Sequence, residues 1–167
     1  MKQILLLNPE NVSEAEAATY PIREAARAIV VDDEGKIALL HVTKKNYYKL
    51  PGGGLDAGED QAVALQRECM EEIGCEVDVL GEVGSIIEYR KIFTLKQISY
   101  CYFAKVKGQK GNPNFTGDEV TDGFELVWFS YEDAMRALVE CEATDFEGSG
   151  YIVPRDIALL KEAKSHF

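Results

Sequence analysis

The sequence predicts an α/β fold on three observations: apolar runs of strand character precede residue 60, an amphipathic helical stretch follows it, and further strands and helices alternate down to the C-terminus. The first strand runs from Ala25 to Val31. Asp32-Asp33-Glu34-Gly35 is a turn signal, and Lys36 to Val42 supplies a second apolar run, so the pair is expected to form a hairpin. Tyr47-Tyr48-Lys49-Leu50 then leads into Pro51-Gly52-Gly53-Gly54, where three glycines allow backbone angles closed to other residues and the chain turns tightly.

From about Asp60 to Ile73 the pattern is helical, with Asp60 as N-cap and Gly74 just past the end. At 100 degrees per residue, Ala62, Val63, Leu65, Cys69, Met70 and Ile73 share one broad face, with Gln66 the polar intruder, and this face is expected to be core. Arg67, Glu68, Glu71 and Glu72 fall opposite. Strands follow at Val77 to Tyr89 and Ile98 to Val106, then a loop from Gly108 to Gly123. A strand at Glu125 to Phe129, a helix beginning near Tyr131 and a last helix from Pro154 to Ala163 complete the chain. No repeat, linker or low-complexity segment divides it, so a single domain over 1–167 is expected, with its core at about 22–163.

With 29 Asp and Glu against 18 Lys and Arg, the formal charge is -11, which repels polyanions and argues against nucleic acid or an acidic membrane as partner. An acidic chain can act on a small phosphate compound where cations screen the like charges, which points towards a metal. Cys69, Cys75, Cys101 and Cys141 form no metal-ligand spacing and read as reduced thiols, consistent with the cytoplasm. The run Ile4-Leu5-Leu6-Leu7 is too short for a signal segment, and no stretch reaches the ~18 apolar residues of a membrane span.

Three carboxylates within little more than one helical turn repel one another, and Arg67, at i, i+4 from Glu71, cannot neutralise all of them. A hard divalent cation with oxygen ligands can, magnesium first and manganese as its substitute. A solvated acidic face is the alternative for the helix alone, but it needs no glycine turn feeding into it.

Gly53, Glu59, Arg67-Glu68, Glu71-Glu72 and Gly74 resemble the Nudix box, G-x5-E-x7-R-E-U-x-E-E-x-G-U, here spanning 53–75. Every fixed position is present. The two bulky apolar positions hold Cys69 and Cys75, which affects packing behind the helix and leaves the charged set untouched. The strand pair before the box and Trp128-Phe129-Ser130 with its following helix extend the resemblance over most of the chain.

The resemblance implies an α/β/α sandwich with a mixed sheet, a glycine loop leading into the catalytic helix, and hydrolysis of a nucleoside diphosphate linked to another moiety. It implies Glu68, Glu71 and Glu72 as metal ligands, Gly53 as a further ligand through its carbonyl, Glu59 in support, and Arg67 orienting the carboxylates. The general base falls on Glu68 or on a later-loop acid, Glu119 first and Glu125 second. Arg23, Arg27 and Lys49 lie where the family binds substrate phosphate, and Tyr48 stands near the position of an aromatic that could stack on a base.

The substrate so implied is a nucleoside triphosphate or an oxidised nucleotide such as 8-oxo-dGTP. ADP-ribose, dinucleoside polyphosphates and nucleotide sugars fit the box equally. A non-catalytic nucleotide sensor of the same fold is the alternative from another class, opposed by the intact glutamates, and isoprenoid diphosphate isomerisation ranks last. Small domains of this family are often homodimers. His41 and His166 have no partner at a telling spacing, and Trp128 reads as core.

Overall fold

Strand alternation sets the layers of the computed structural model, which describes residues 1–167. In β2 (Ile22–Val31), Ala26, Ala28 and Val30 face one buried cluster while Ile29 and Val31 face the other, as a two-residue period requires. β7 (Leu95–Lys107) runs parallel to β2 along its whole length, β6 (Glu76–Arg90) pairs antiparallel with β7, and β1 (Gln3–Leu7) lies parallel on β6. On the other side of β2, β5 (Gly52–Gly54) pairs antiparallel with Ala25 to Arg27. β3 (Ile37–Val42) meets β2 only at Val31↔Ile37 and carries β8 (Phe124–Phe129) and β4 (Tyr47–Lys49) on its two edges.

Helices cover both faces of this mixed sheet of eight strands. Ala64, Leu65, Cys69 and Ile73 of α2 (Gln61–Ile73) pack on Ala26, Ala28, Val30 and Ala38. On the opposite face Ala134 and Leu138 of α4 (Tyr131–Glu140) and Leu159 and Leu160 of α5 (Val153–Glu162) pack on Ile29, Ile37 and Leu39. Each large aliphatic side chain so buried contributes about 1.5–3 kcal/mol. The α/β/α sandwich with a mixed sheet is the architecture expected. No helix is long and apolar enough to cross a membrane.

Four expectations change. The 25–42 pair forms the expected antiparallel turn, but its ladder stops at Val31↔Ile37, because the glycine strand β5 takes the β2 edge further on and β3 pairs along its length with β8. Within the expected loop Gly108 to Gly123 lies a short helix, α3 (Gly117–Asp122). The first residues, not assigned to any element from sequence, form β1 and a one-turn helix, α1 (Glu14–Ala17). Finally, the buried face of α2 is rotated from the apolar stripe: Ala62, Val63 and Met70 are exposed, and Glu68 and Glu72 are buried beside Leu65 and Cys69.

Candidate active site

Local chemistry fixes α2 at both ends. Asp60 accepts a hydrogen bond from Val63 N–H at 2.9 Å, and Gly74 ends the helix in the left-handed region at φ 70. Gly74 also lies against the chain that follows β7, since a Cβ there would come within 2.5 Å of the Asn112 backbone. Gly111 N–H donates to Gly74 O at 3.0 Å and Asn114 N–H to Glu71 O at 2.7 Å, so the segment leading to α3 is tied to the end of α2. That tie brings Glu119 of α3 to the glutamate helix.

Carboxylate oxygens of Glu68, Glu72 and Glu119 all lie within 4.8 Å of one another. Glu72 is 1% exposed and Glu68 7%. Glu72 accepts from Lys49 Nζ at 2.8 Å and from Gly52 N–H at 2.5 Å. Burial pushes its carboxyl up from the ordinary value against the pull of those two donors. Glu119 accepts from Thr116 N–H at 2.8 Å. Gly53 runs directly against Glu68, whose Cδ would lie 2.6 Å from any Cβ placed there. Three hard oxygen donors, two of them buried and none neutralising another, fit a divalent cation of the magnesium or manganese type.

Arg67 organises the carboxylates around it. Its Nε and Nη2 donate to the two oxygens of Glu59 at 3.0 and 2.9 Å, and its Nη1 reaches Glu68 at 2.8 Å and Glu71 at 3.5 Å. Its Nη2 also donates to Gly54 O at 3.0 Å, which ties helix to glycine strand. Arg67 holds the Glu59 carboxyl at about 2, well below its ordinary value. Glu71 lies outside the Glu68, Glu72 and Glu119 group, half-buried and beside Arg67. Glu125 is exposed on β8.

Beside the carboxylates lies a cleft of about 300 Å³ lined by Arg23, Arg27, Lys49, Gly52 and Gly53 among others. Arg27 is buried, donates from Nη1 to Gly52 O, and has an Nε with no partner. Burial lowers its guanidinium to about 10, and Arg155 adds to the effect. Tyr48 is not part of this cleft. As the neighbour of Lys49 on a strand it points to the other side, stacked on His41 at 4.4 Å and lining a separate hollow with Phe129 and Arg136. His166 stacks on Phe103, and Trp128 is half-buried against the α2-side core under Lys110.

Sequence reasoning missed Lys45, Arg90, Phe124 and Arg155, which also line the cleft. Arg155 is 1% exposed, bonded to Asp156 at 2.7 and 3.1 Å and to Glu88 at 3.5 Å. Arg90 pairs with Glu88 at 2.5 Å and Glu147 at 2.8 Å. The sequence signal was a set of charged residues inside apolar runs, Glu88 and Arg90 at a strand end and Arg155-Asp156 at a helix start, where burial demands partners.

A family model described as a NUDIX domain matches residues 21–146. An RNA pyrophosphohydrolase of Sulfurovum sp. (strain NBC37-1) is 30% identical over 97 residues, covering 53% of this chain and 62% of that protein. An 8-oxo-(d)GTP phosphatase of Mycolicibacterium smegmatis is 35% identical over 103 residues, covering 62% of this chain and 30% of that protein. The chain thus spans less than two thirds of the length of either relative. Among solved structures, a NUDIX hydrolase from Nitrosomonas europaea superposes with a TM-score of 0.65 at 16% identity, covering 87% of this chain and 90% of the other, a likeness of fold.

Proposed function

The chain belongs to the NUDIX family, and from that premise we propose that it hydrolyses a phosphoanhydride bond in a nucleoside triphosphate or an oxidised nucleotide such as 8-oxo-dGTP. The observation that carries this is the convergence of Glu68, Glu72 and Glu119 beside a cationic cleft. Magnesium, with manganese as substitute, fits the oxygen donor set, with Gly53 O and Glu71 as further donors. When bound, such an ion screens the anionic phosphate oxygens and makes a water acidic enough to attack near neutral pH.

The chain's own residues do the rest. Arg67 and Glu59 hold Glu68 in place, and Lys49, Arg27 and Arg23 take the substrate's phosphate oxygens. Glu119 is favoured over Glu68 as the base that accepts the water's proton, because a Glu68 oxygen is taken by Arg67 Nη1 at 2.8 Å, whereas Glu119 is bonded to one backbone N–H. The activity of the Sulfurovum relative favours a second reading, in which the triphosphate is the 5′ end of an RNA. The net charge of -11 weighs against it.

The test is product release from nucleoside triphosphates, 8-oxo-dGTP, ADP-ribose, a dinucleoside polyphosphate and a short 5′-triphosphate RNA, with magnesium and with a chelator. Turnover of a triphosphate only with metal supports the assignment. Nucleotide binding without turnover of any compound would replace it with the sensor reading.

A further inference from the structure

Glu119 reaches the glutamate helix on the segment from Gly108 to Gly123, no residue of which is buried. Two backbone bonds hold its first half, Gly111 N–H to Gly74 O and Asn114 N–H to Glu71 O. Both acceptors are carbonyls at the C-terminal end of α2, which the helix itself leaves without donors. The segment thus takes its register from α2, and that register decides where Glu119 stands against Glu68 and Glu72. Water competes for bonds made by exposed residues, so each of these two holds little alone.

A charged fixture precedes them. Lys110 Nζ donates to Asp32 Oδ2 at 2.5 Å and lies over the Trp128 ring at 4.1 Å. Asp32 closes the turn between β2 and β3, where its Oδ1 accepts Glu34 N–H at 2.9 Å and Lys36 N–H at 2.8 Å. Its side chain is 2% exposed, so the carboxylate is fixed out of water with Oδ2 left for Lys110. Trp128 stands on β8 and packs against the α2-side core. One side chain therefore ties the start of the segment to two parts of the sheet before the chain runs along the end of α2. At the far end Lys45 meets Asp122 of α3 at 2.7 Å. Neither Lys110 nor Asp32 lines the cleft.

Given the hydrolase reading above, in which Glu119 takes the water's proton, we infer that Lys110, clamped between Asp32 and Trp128, is a positioning residue that sets Glu119 against Glu68 and Glu72. Its effect on the reaction passes through the segment it anchors. Without the clamp the first half of the segment loosens, and α3 is held mainly by its far end. A displacement of about 1 Å at a reacting group costs on the order of 100-fold in rate, while the substrate contacts of the cleft stay as they were.

The test is a double-mutant cycle on the whole protein, with kcat and KM measured for the parent, Lys110→Met, Lys110→Arg, Glu119→Gln and the combination of Lys110→Met with Glu119→Gln. Methionine keeps the stem against Trp128 and removes the charge, and arginine restores both contacts. Lys110→Met is expected to lower kcat by about 10- to 100-fold with KM within about threefold, and Lys110→Arg to recover to within about threefold of the parent. Once Glu119 is glutamine, Lys110→Met should cost less than about threefold. Equal losses in the two backgrounds, an unchanged kcat in Lys110→Met, or no rescue by arginine overturns the inference. Hydrogen exchange is read beside the kinetics: in Lys110→Met the Gly111 and Asn114 amides should exchange at least about tenfold faster while the α2 amides keep their protection. Should the parent turn nothing over, or Glu119→Gln match it, the proposed function fails separately. Faster exchange at those two amides then still supports the clamp, and unchanged protection overturns it. Lys110→Gln, which leaves Asp32 a donor, replaces Lys110→Met if that variant does not fold, with the same outcomes required.

Discussion

Gly53→Ala isolates the placement of one carboxylate. Gly53 is not in the positive-φ region, so alanine brings no backbone strain, and what its methyl meets is the end of the Glu68 side chain, with Cδ at 2.6 Å and Oε2 at 2.7 Å. Ordinary contact begins at 3.4 Å, so the carboxylate must retreat by roughly 1 Å, which a flexible side chain does cheaply. Global stability therefore changes little. A misplacement of about 1 Å at a reacting centre costs ~100-fold in rate, or about 2.7 kcal/mol of barrier. The assay is steady-state phosphate release with a magnesium titration, beside thermal unfolding and Gly81→Ala, whose Cβ meets nothing within 4 Å. Turnover and metal affinity within about threefold of the parent in a folded Gly53→Ala protein would refute the placement of Glu68 against the glycine strand as a condition of activity.

Other perturbations test other contacts. Glu119→Gln keeps an oxygen to accept from Thr116 N–H and so keeps α3, but it loses the base; kcat is expected to fall by ~10²–10⁴ with the melting temperature unchanged. Asp156→Asn strips the buried Arg155 of its closest carboxylate and weakens the acceptor of Leu50 N–H, and urea unfolding should show a loss of about 3–5 kcal/mol. The Glu59 carboxyl is held at about 2 by Arg67, below its ordinary 4.5, so its ionised form stabilises the fold fully above 4.5 and progressively less as pH falls towards 2. The stability deficit of Glu59→Gln should accordingly be largest near neutral pH and shrink in acid, as denaturation at pH 7 and pH 3 would reveal.

Legibility in the sequence followed the range of the interactions. The ends of α2 were readable because Asp60 and Gly74 act within a turn of the helix they bound, and the carboxylates were readable because their spacing on that helix is local. Its rotation was not. Apolar periodicity placed Val63 and Met70 in the core, yet the face turned inward holds Glu68 and Glu72, since it must meet both the sheet and the glycine strand. α3 is six residues long, too short for a period, and its place depends on hydrogen bonds to the far end of α2. β1 gains its identity from Ser85 to Glu88, about eighty residues away. Lys49 and Tyr48 are neighbours in sequence, but adjacent strand residues face opposite ways, and the fold parts them. Arg90 and Arg155 reach the cleft from β6 and α5, an adjacency no local pattern encodes.

The most direct test of the central claim is anomalous diffraction from crystals grown with manganese, with and without a non-hydrolysable nucleoside triphosphate. A metal peak at the Glu68 and Glu72 carboxylates, beside Glu119 and with the phosphates running from it along Arg27, is the result this account predicts. A peak bound elsewhere on the acidic surface, or none at saturating manganese with nucleotide in the cleft, would contradict it.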